Sequence, residues 1–131
     1  MNILVVDDEP AILKALQTIL TLDGHTVHAT VSPHEAIETL RAADTPFDLT
    51  ITDQTMPSMS GPELARAVKA VAPSMPIVLL TGVLLTGMPG VSGPDRPPCI
   101  DYVLQKPIRL AELRKFMSDF AQRVTAEAGA R

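Results

Sequence analysis

Short apolar runs recur along this chain, and the segment between successive runs is long enough for one helix. A run at Thr26–Thr30 is weak, and four others are almost uninterrupted: Ile3–Val6, Leu49–Thr52, Ile77–Leu80 and Ile100–Leu104. Runs of this length without polar alternation are typical of strands that are buried on both faces of a parallel sheet. The pattern therefore restricts the chain to folds in which helices cover a parallel sheet.

The intervening segments have the spacing of amphipathic helices, as Ile12, Leu16 and Ile19 illustrate. Ser32 and Ser60 each precede a glutamate by three residues, which predicts a capping box at the start of two of these helices. Short connections between alternating strands and helices imply right-handed crossovers. We therefore predict an α/β sandwich, doubly wound around about five parallel strands.

Composition limits the classes of function. The 131 residues, 46% of them hydrophobic, are enough for one domain with a buried core. The formal net charge is −4 and no basic block occurs, so direct binding to nucleic acid or to an anionic membrane is disfavoured. No apolar stretch reaches the roughly 20 residues that span a bilayer, no charged leader opens the chain, and Cys99 is the single cysteine. We expect a cytoplasmic protein in which Cys99 is inert.

Polar side chains follow four of the five predicted strands. Asp7 and Asp8 follow the first strand, Asp53 follows the third, Thr81 the fourth and Lys106 the fifth. In an open parallel sheet, ligands bind beyond the carboxyl ends of the strands, so these side chains are expected at one edge. Clustered carboxylates repel one another and need a compensating cation, which Lys106 and Mg²⁺ can supply. Metal-assisted phosphoryl chemistry with Asp53 as nucleophile fits this set, and Mn²⁺ is a substitute ion.

The same residues, in this order, carry a family resemblance. Asp7-Asp8, Asp53, Gly61, Thr81 and Lys106-Pro107 together resemble the receiver domain of two-component response regulators, over about residues 1–124. The resemblance implies a flavodoxin-like doubly wound sheet of five parallel strands in the order 2-1-3-4-5, with helices on both faces. It also implies a signalling switch that catalyses its own phosphorylation and dephosphorylation, without acting as an enzyme on other substrates.

The resemblance further implies a role for each matching residue. Asp53 is the phosphoacceptor, and its phosphoryl group comes from a histidine kinase or a histidine phosphotransfer protein. Asp7, Asp8, Asp53 and the backbone carbonyl of Thr55 hold Mg²⁺, with Asp8 the more direct ligand of the acidic pair. Thr81 provides the switch hydroxyl, Lys106 is the phosphate-binding lysine, and Pro107 is a cis-proline.

Three features depart from the family pattern. Val103 stands where the family commonly has a switch aromatic, and Tyr102 next to it is predicted to point to the opposite face of the sheet. The stretch Gly82–Pro98 contains four glycines and four prolines, which predicts that the fourth helix is short or replaced by a loop. Thr55 and Val83 flank the expected phosphoryl group, and neither is an acid or an amide, so we expect a long-lived aspartyl phosphate.

Two other functions remain open at this stage. A phosphorylation-independent interaction module could use the same fold, and Val103 with the altered loop leaves it open. The intact residues Asp8, Asp53, Thr81 and Lys106 argue against it. An aspartyl-phosphate hydrolase also uses an aspartate nucleophile, but its second aspartate would stand at Thr55. We predict a receiver domain over residues 1–124 and a flexible tail over residues 125–131. The sequence does not distinguish a stand-alone protein from part of a longer regulator or hybrid kinase.

Overall fold

The apolar runs form strands and the amphipathic segments form helices in a computed structural model that describes residues 1–44, 46–82 and 99–129. Within these residues the elements are, in chain order, β1 (Asn2–Val6), α1 (Pro10–Leu22), β2 (Thr26–Thr30), α2 (Pro33–Ala42), β3 (Leu49–Asp53), α3 (Gly61–Val71), β4 (Ile77–Thr81), β5 (Tyr102–Gln105) and α4 (Leu110–Gly129).

The strands of the described residues form one parallel sheet of five strands in the order β2-β1-β3-β4-β5. In the middle of this sheet, Val6 pairs with Thr30 of β2 and with Thr52 of β3. From β1 the chain leads first to β2 on one side and later to β3 on the other, which opens a crevice at the carboxyl ends of β1 and β3. The predicted flavodoxin-like order 2-1-3-4-5 is confirmed.

Successive side chains of each strand point to opposite faces of the sheet, so the strands contribute to two cores. Val5 packs in the core that α1 and α4 cover, whereas Leu4 packs in the core that α2 and α3 cover. The side chains of β5 divide in the same way, since Tyr102 contacts the first core and Val103 the second. The prediction that Tyr102 and Val103 point in opposite directions is confirmed.

The two predicted capping boxes differ in the structure. At α3 the box is complete, because the Ser60 hydroxyl accepts a bond from Glu63 N–H and the Glu63 carboxylate accepts one from Ser60 N–H. At α2 the Ser32 hydroxyl accepts from Glu35 N–H, but Ser32 N–H donates to Thr30 Oγ1 at 3.1 Å. The prediction of a full box at Ser32 is therefore wrong, because a nearer hydroxyl takes the donor that Glu35 would have used.

The last strand begins later than the apolar run predicts. Ile100 is buried, but β5 starts at Tyr102. The Asp101 carboxylate accepts a hydrogen bond from Ile77 N–H at 2.9 Å. The Asp101 carboxylate thus binds the backbone N–H of Ile77, the first residue of β4. The pairing of β4 with β5 therefore begins one residue later, with Val78 opposite Tyr102.

The last helix is longer than the sequence predicts. It continues to Gly129, past Val124, where the predicted tail begins. Residues 126–128 are Ala-Glu-Ala, which have high helix propensity, and no proline interrupts them. The Thr125 hydroxyl also donates to the Ala121 carbonyl one turn back. Residues 125–129 are therefore part of α4, and the flexibility predicted for residues 125–131 stays a prediction.

Two predictions fall outside the described residues. These are the role of Val83 and the short or missing fourth helix, both of which concern residues 83–98. In the part of the chain that the structure describes, no helix combines the length and the apolar character needed to cross a bilayer.

Candidate functional site

The polar residues predicted at the strand ends lie together at one edge of the sheet. Asp53 and Thr81 are the last residues of β3 and β4, while Asp7 and Lys106 directly follow β1 and β5. One carboxylate oxygen from each of Asp7, Asp8 and Asp53 lies within 4.8 Å of the other two. The parallel topology therefore brings together an acidic cluster, a hydroxyl and a cation from distant parts of the chain.

Lys106 provides the positive charge in this cluster. Its Nζ lies 2.8 Å from Asp53 Oδ1, 3.3 Å from Asp7 Oδ2 and 4.0 Å from Glu9 Oε1. The lysine side chain is only 15% exposed, and the Asp7 side chain is fully buried. Water screens these charges weakly, so the contacts are stronger than surface ion pairs.

Asp7 is the most deeply buried acid of the site. Its Oδ1 accepts a hydrogen bond from Glu9 N–H at 2.9 Å, whereas its Oδ2 makes the ion pair with Lys106 and no hydrogen bond among the described residues. Loss of hydration raises the pKa of Asp7 above its ordinary value, and the charge of Asp53 raises it further. The Glu9 amide and Lys106 oppose this rise without cancelling it. The ionised form of Asp7 is therefore unfavourable in the folded chain unless more positive charge is present.

The pKa of Lys106 also depends on the carboxylates of this cluster. Burial by itself would lower the pKa of this ammonium group. The hydrogen bond to Asp53 and the charges of Asp7 and Asp53 outweigh burial, so the pKa of Lys106 lies above its ordinary value. Lys106 is therefore fully protonated at neutral pH and compensates part of the acidic charge.

The donor set fits a hard divalent cation. Three carboxylates face one lysine, and the buried Oδ2 of Asp7 lacks a hydrogen bond within the described residues. Mg²⁺ prefers carboxylate oxygens, water and phosphate oxygens as ligands, and it would supply the charge that the single lysine does not. Asp7, Asp8 and Asp53 are therefore the residues that could hold such an ion.

The main chain around Asp53 is held closely by the start of α3. Gly61 N–H donates to the Gln54 carbonyl at 2.8 Å. A Cβ atom at Gly61 would lie 2.5 Å from both the Asp53 carbonyl oxygen and Leu79 Cδ1, and 3.1 Å from Gln54 Cα. Glycine at this position is therefore required for the close approach of α3 to the end of β3.

A Gly61→Ala substitution should lower the free energy of unfolding by about 1–3 kcal/mol, because the new methyl group would collide with backbone. Gly82→Ala is the matched control, since a Cβ there meets nothing within 4 Å in the part of the chain that the structure describes. Urea denaturation followed by circular dichroism measures both values. Equal stability of the two variants would contradict the close packing inferred at Gly61.

Sequence reasoning missed one residue of the site, Gln54. The Thr81 hydroxyl donates a hydrogen bond to Gln54 Oε1. Asp53 pairs with Leu80 in the register of β3 and β4, which places the next residues, Gln54 and Thr81, side by side. The position directly after Asp53 was the only signal in the sequence, and it does not reveal the register that brings the two side chains together.

The other predicted residues lie around this centre. Thr55 is exposed in the loop between β3 and α3. The Lys106–Pro107 peptide bond is cis, as the resemblance implies. Val103 packs in the core between the sheet and the helices α2 and α3.

The chain matches known proteins over nearly its whole length. The family model of the response regulator receiver domain matches residues 3–118. The two-component response regulator ORR22 of Oryza sativa subsp. indica is 35% identical over 125 residues, which cover 94% of this chain and 17% of that protein. This chain thus spans less than a fifth of that relative.

Solved structures agree with the match to the receiver-domain family. A response regulator receiver domain protein from Clostridium thermocellum superposes with a TM-score of 0.80 at 27% identity, covering 95% of this chain and 97% of that one. Response regulator protein TrrA from Thermotoga maritima, solved in complex with Mg(2+)-BeF, gives a TM-score of 0.74 at 28% identity, covering 91% and 97%. With its fold, its acidic edge and these matches in agreement, the chain belongs to the family of receiver domains of two-component response regulators.

Proposed function

We propose that the chain is the phosphoacceptor switch of a two-component phosphorelay, and that Asp53 takes the phosphoryl group. The observation that carries this proposal is the 2.8 Å ion pair of Lys106 with Asp53 inside a cluster of three carboxylates. A carboxylate beside a buried ammonium group can receive a phosphoryl group, because the ammonium offsets the charge on the phosphoryl oxygens.

Asp7, Asp8 and Asp53, with the backbone carbonyl of Thr55, would hold Mg²⁺. When bound, the ion neutralises charge on the carboxylates and on the incoming phosphoryl oxygens. The buried Asp7 Oδ2, without a hydrogen bond among the described residues, supports this assignment, as does the donor chemistry of the cluster. The Mg(2+)-BeF complex of TrrA offers a precedent in the family.

The transfer needs a donor with a labile bond to phosphorus, and the phosphohistidine of a histidine kinase or phosphotransfer protein has one. An oxygen of Asp53 forms the new bond to phosphorus while the bond from phosphorus to the imidazole nitrogen breaks, and its electron pair stays with the ring. Lys106 Nζ turns toward the phosphoryl oxygens, and the Thr81 hydroxyl donates a hydrogen bond to one of them. These new contacts favour a second conformation near the end of β4.

An apolar groove beside the site offers a place for the donor protein. It has a volume of about 430 Å³ and lies between α1 and the beginning of α4. Ile12, Ile19 and Ile108 line it, and Lys106 lies at its edge. A partner helix seated there would bring a phosphohistidine close to Asp53, and we propose that this encounter takes place in the cytoplasm.

Intact-protein mass spectrometry after incubation with acetyl phosphate and Mg²⁺ tests the proposal. The native chain should gain one phosphoryl group, and the gain should disappear on chelation of the metal or in the Asp53→Asn variant. The Asp44→Asn variant is the control, because Asp44 is an exposed aspartate after α2. No gain in the native chain, with a donor proven on another receiver, would favour a phosphorylation-independent interaction module.

A further inference from the structure

The backbone of Gln54 is fixed at three points. Its N–H lies 2.8 Å from the Leu80 carbonyl and 3.0 Å from Asp53 Oδ1, and its carbonyl accepts from Gly61 N–H at 2.8 Å. These contacts bind it to β4, to the acceptor side chain and to α3. Because the backbone of Gln54 is already ordered, a hydrogen bond made by its side chain requires little further loss of backbone entropy.

The partner of this side chain is the Thr81 hydroxyl, which donates to Gln54 Oε1. Thr81 is 1% exposed, and its carbonyl accepts a hydrogen bond from Lys106 N–H at 2.7 Å. A threonine hydroxyl has one proton to donate. Thr81 therefore cannot donate at the same time to Gln54 and to an oxygen of a phosphoryl group on Asp53.

We infer that the Gln54 carboxamide is a positioning group that retains the Thr81 hydroxyl in the unphosphorylated state and so sets how readily the switch responds. This inference rests on the proposed function, because it concerns the competition between Gln54 and the phosphoryl oxygen for one proton. Gln54 contacts the Asp53 carboxylate through its backbone N–H, whereas its carboxamide contacts Thr81. Its effect passes through Thr81, and it shifts the balance between the two conformations of the switch.

Val103 makes the role of Gln54 more important in this chain. It packs in the core under α2 and α3, and it carries no ring or polar atom that could follow a movement of Thr81. The hydrogen bond between Thr81 and Gln54 thus joins the hydroxyl to the acceptor strand itself. Breaking that bond would free the Thr81 hydroxyl from Gln54, while the backbone hydrogen bonds of Gln54 and Thr81 stay in place.

Gln54→Met is the variant that tests the inference, because methionine is also unbranched and of similar length but has no comparable acceptor. Without the competing acceptor, we expect the Mg²⁺-dependent affinity for beryllofluoride, a phosphoryl mimic, to increase about fivefold, as the loss of one net hydrogen bond predicts. Isothermal titration calorimetry of the full chain measures this affinity. Gln54→Ala provides a second variant if the longer side chain packs poorly.

A double-mutant cycle separates this role from a purely structural one. If Gln54 acts through Thr81, then Gln54→Met should change the affinity for beryllofluoride in the native chain but not in a Thr81→Val background. An affinity that is unchanged or weaker in both Gln54 variants would overturn the inference, and so would an equal effect in the Thr81→Val background. If the native chain itself fails to bind beryllofluoride with Mg²⁺, the proposed function fails, and the inference fails with it.

Discussion

A Lys106→Met variant should be less stable without metal and should nevertheless bind Mg²⁺ more tightly than the native chain. Lys106 Nζ lies 2.8 Å from Asp53 and 3.3 Å from the fully buried Asp7. Removing one partner of a buried ion pair leaves uncompensated charge, and we expect the free energy of unfolding to fall by about 3 kcal/mol in the presence of a chelator. The loss should be fully present at neutral pH, because the pKa of Lys106 is raised in the fold.

The same substitution removes a positive charge that competes with the metal. An interaction between charges a few ångströms apart is worth ~1–4 kcal/mol in polar surroundings, so the affinity for Mg²⁺ should increase about tenfold. Phosphorylation by acetyl phosphate should nonetheless slow about 100-fold, because a charged donor to the phosphoryl oxygens is lost. Calorimetric titration with Mg²⁺ and the rate of mass gain measure the two effects.

Lys69→Met is the matched control for these measurements. Lys69 also forms a partly buried ion pair, 2.9 Å from Asp101. Its partner is not one of the three clustered carboxylates, so the variant should lose some stability but should bind Mg²⁺ with the native affinity. An unchanged Mg²⁺ affinity in Lys106→Met would contradict the assignment of Lys106 as the cation that compensates the acidic cluster.

An Asp7→Asn variant should show the reverse pattern, with higher stability and weaker metal binding. Burial raises the pKa of Asp7, so the folded chain retains a proton that the unfolded chain releases at the same pH. Stability from this group is therefore lost as the pH rises through the folded pKa of Asp7, and the ionised acid destabilises the fold at neutral pH. Asparagine keeps an Oδ1 that can accept the bond from Glu9 N–H.

We expect the free energy of unfolding of Asp7→Asn to rise by about 1 kcal/mol at neutral pH and the affinity for Mg²⁺ to fall at least about tenfold. The difference in stability from the native chain should shrink as the pH falls toward the ordinary pKa of aspartate. Urea titrations at several pH values, in a chelator and in Mg²⁺, measure both effects. Reduced stability of Asp7→Asn at neutral pH in the chelator would contradict the account of this site, and Asp44→Asn should change neither quantity.

Hydrophobic periodicity predicted the sheet and the edge at which the site lies. Five apolar runs separated by helical segments leave few topologies, and the carboxyl ends of parallel strands meet at one edge. The placement of Asp7, Asp53 and Lys106 could therefore be predicted from the residues that follow the runs. The cis bond before Pro107 was predicted through the family resemblance and not from the pattern.

The details that the sequence did not predict depend on register and on competition for hydrogen-bond partners. The contact of Thr81 with Gln54 requires the alignment of β3 with β4, which apolar patterns do not report. The incomplete box at Ser32 and the late start of β5 each arise because a nearby side chain, Thr30 or Asp101, takes part in a backbone hydrogen bond. Replacing one hydrogen-bond partner by another changes the free energy by about 1 kcal/mol, and the spacing of apolar residues does not indicate it.

Chemical trapping tests most directly whether Asp53 carries the phosphoryl group. Borohydride reduces an acyl phosphate to an alcohol, so the chain would be treated with acetyl phosphate and Mg²⁺, reduced, digested and sequenced by tandem mass spectrometry. We predict reduction at Asp53 alone and none after chelation of the metal. Reduction at Asp7 or Asp8, or the same modification in the Asp53→Asn variant, would contradict the account.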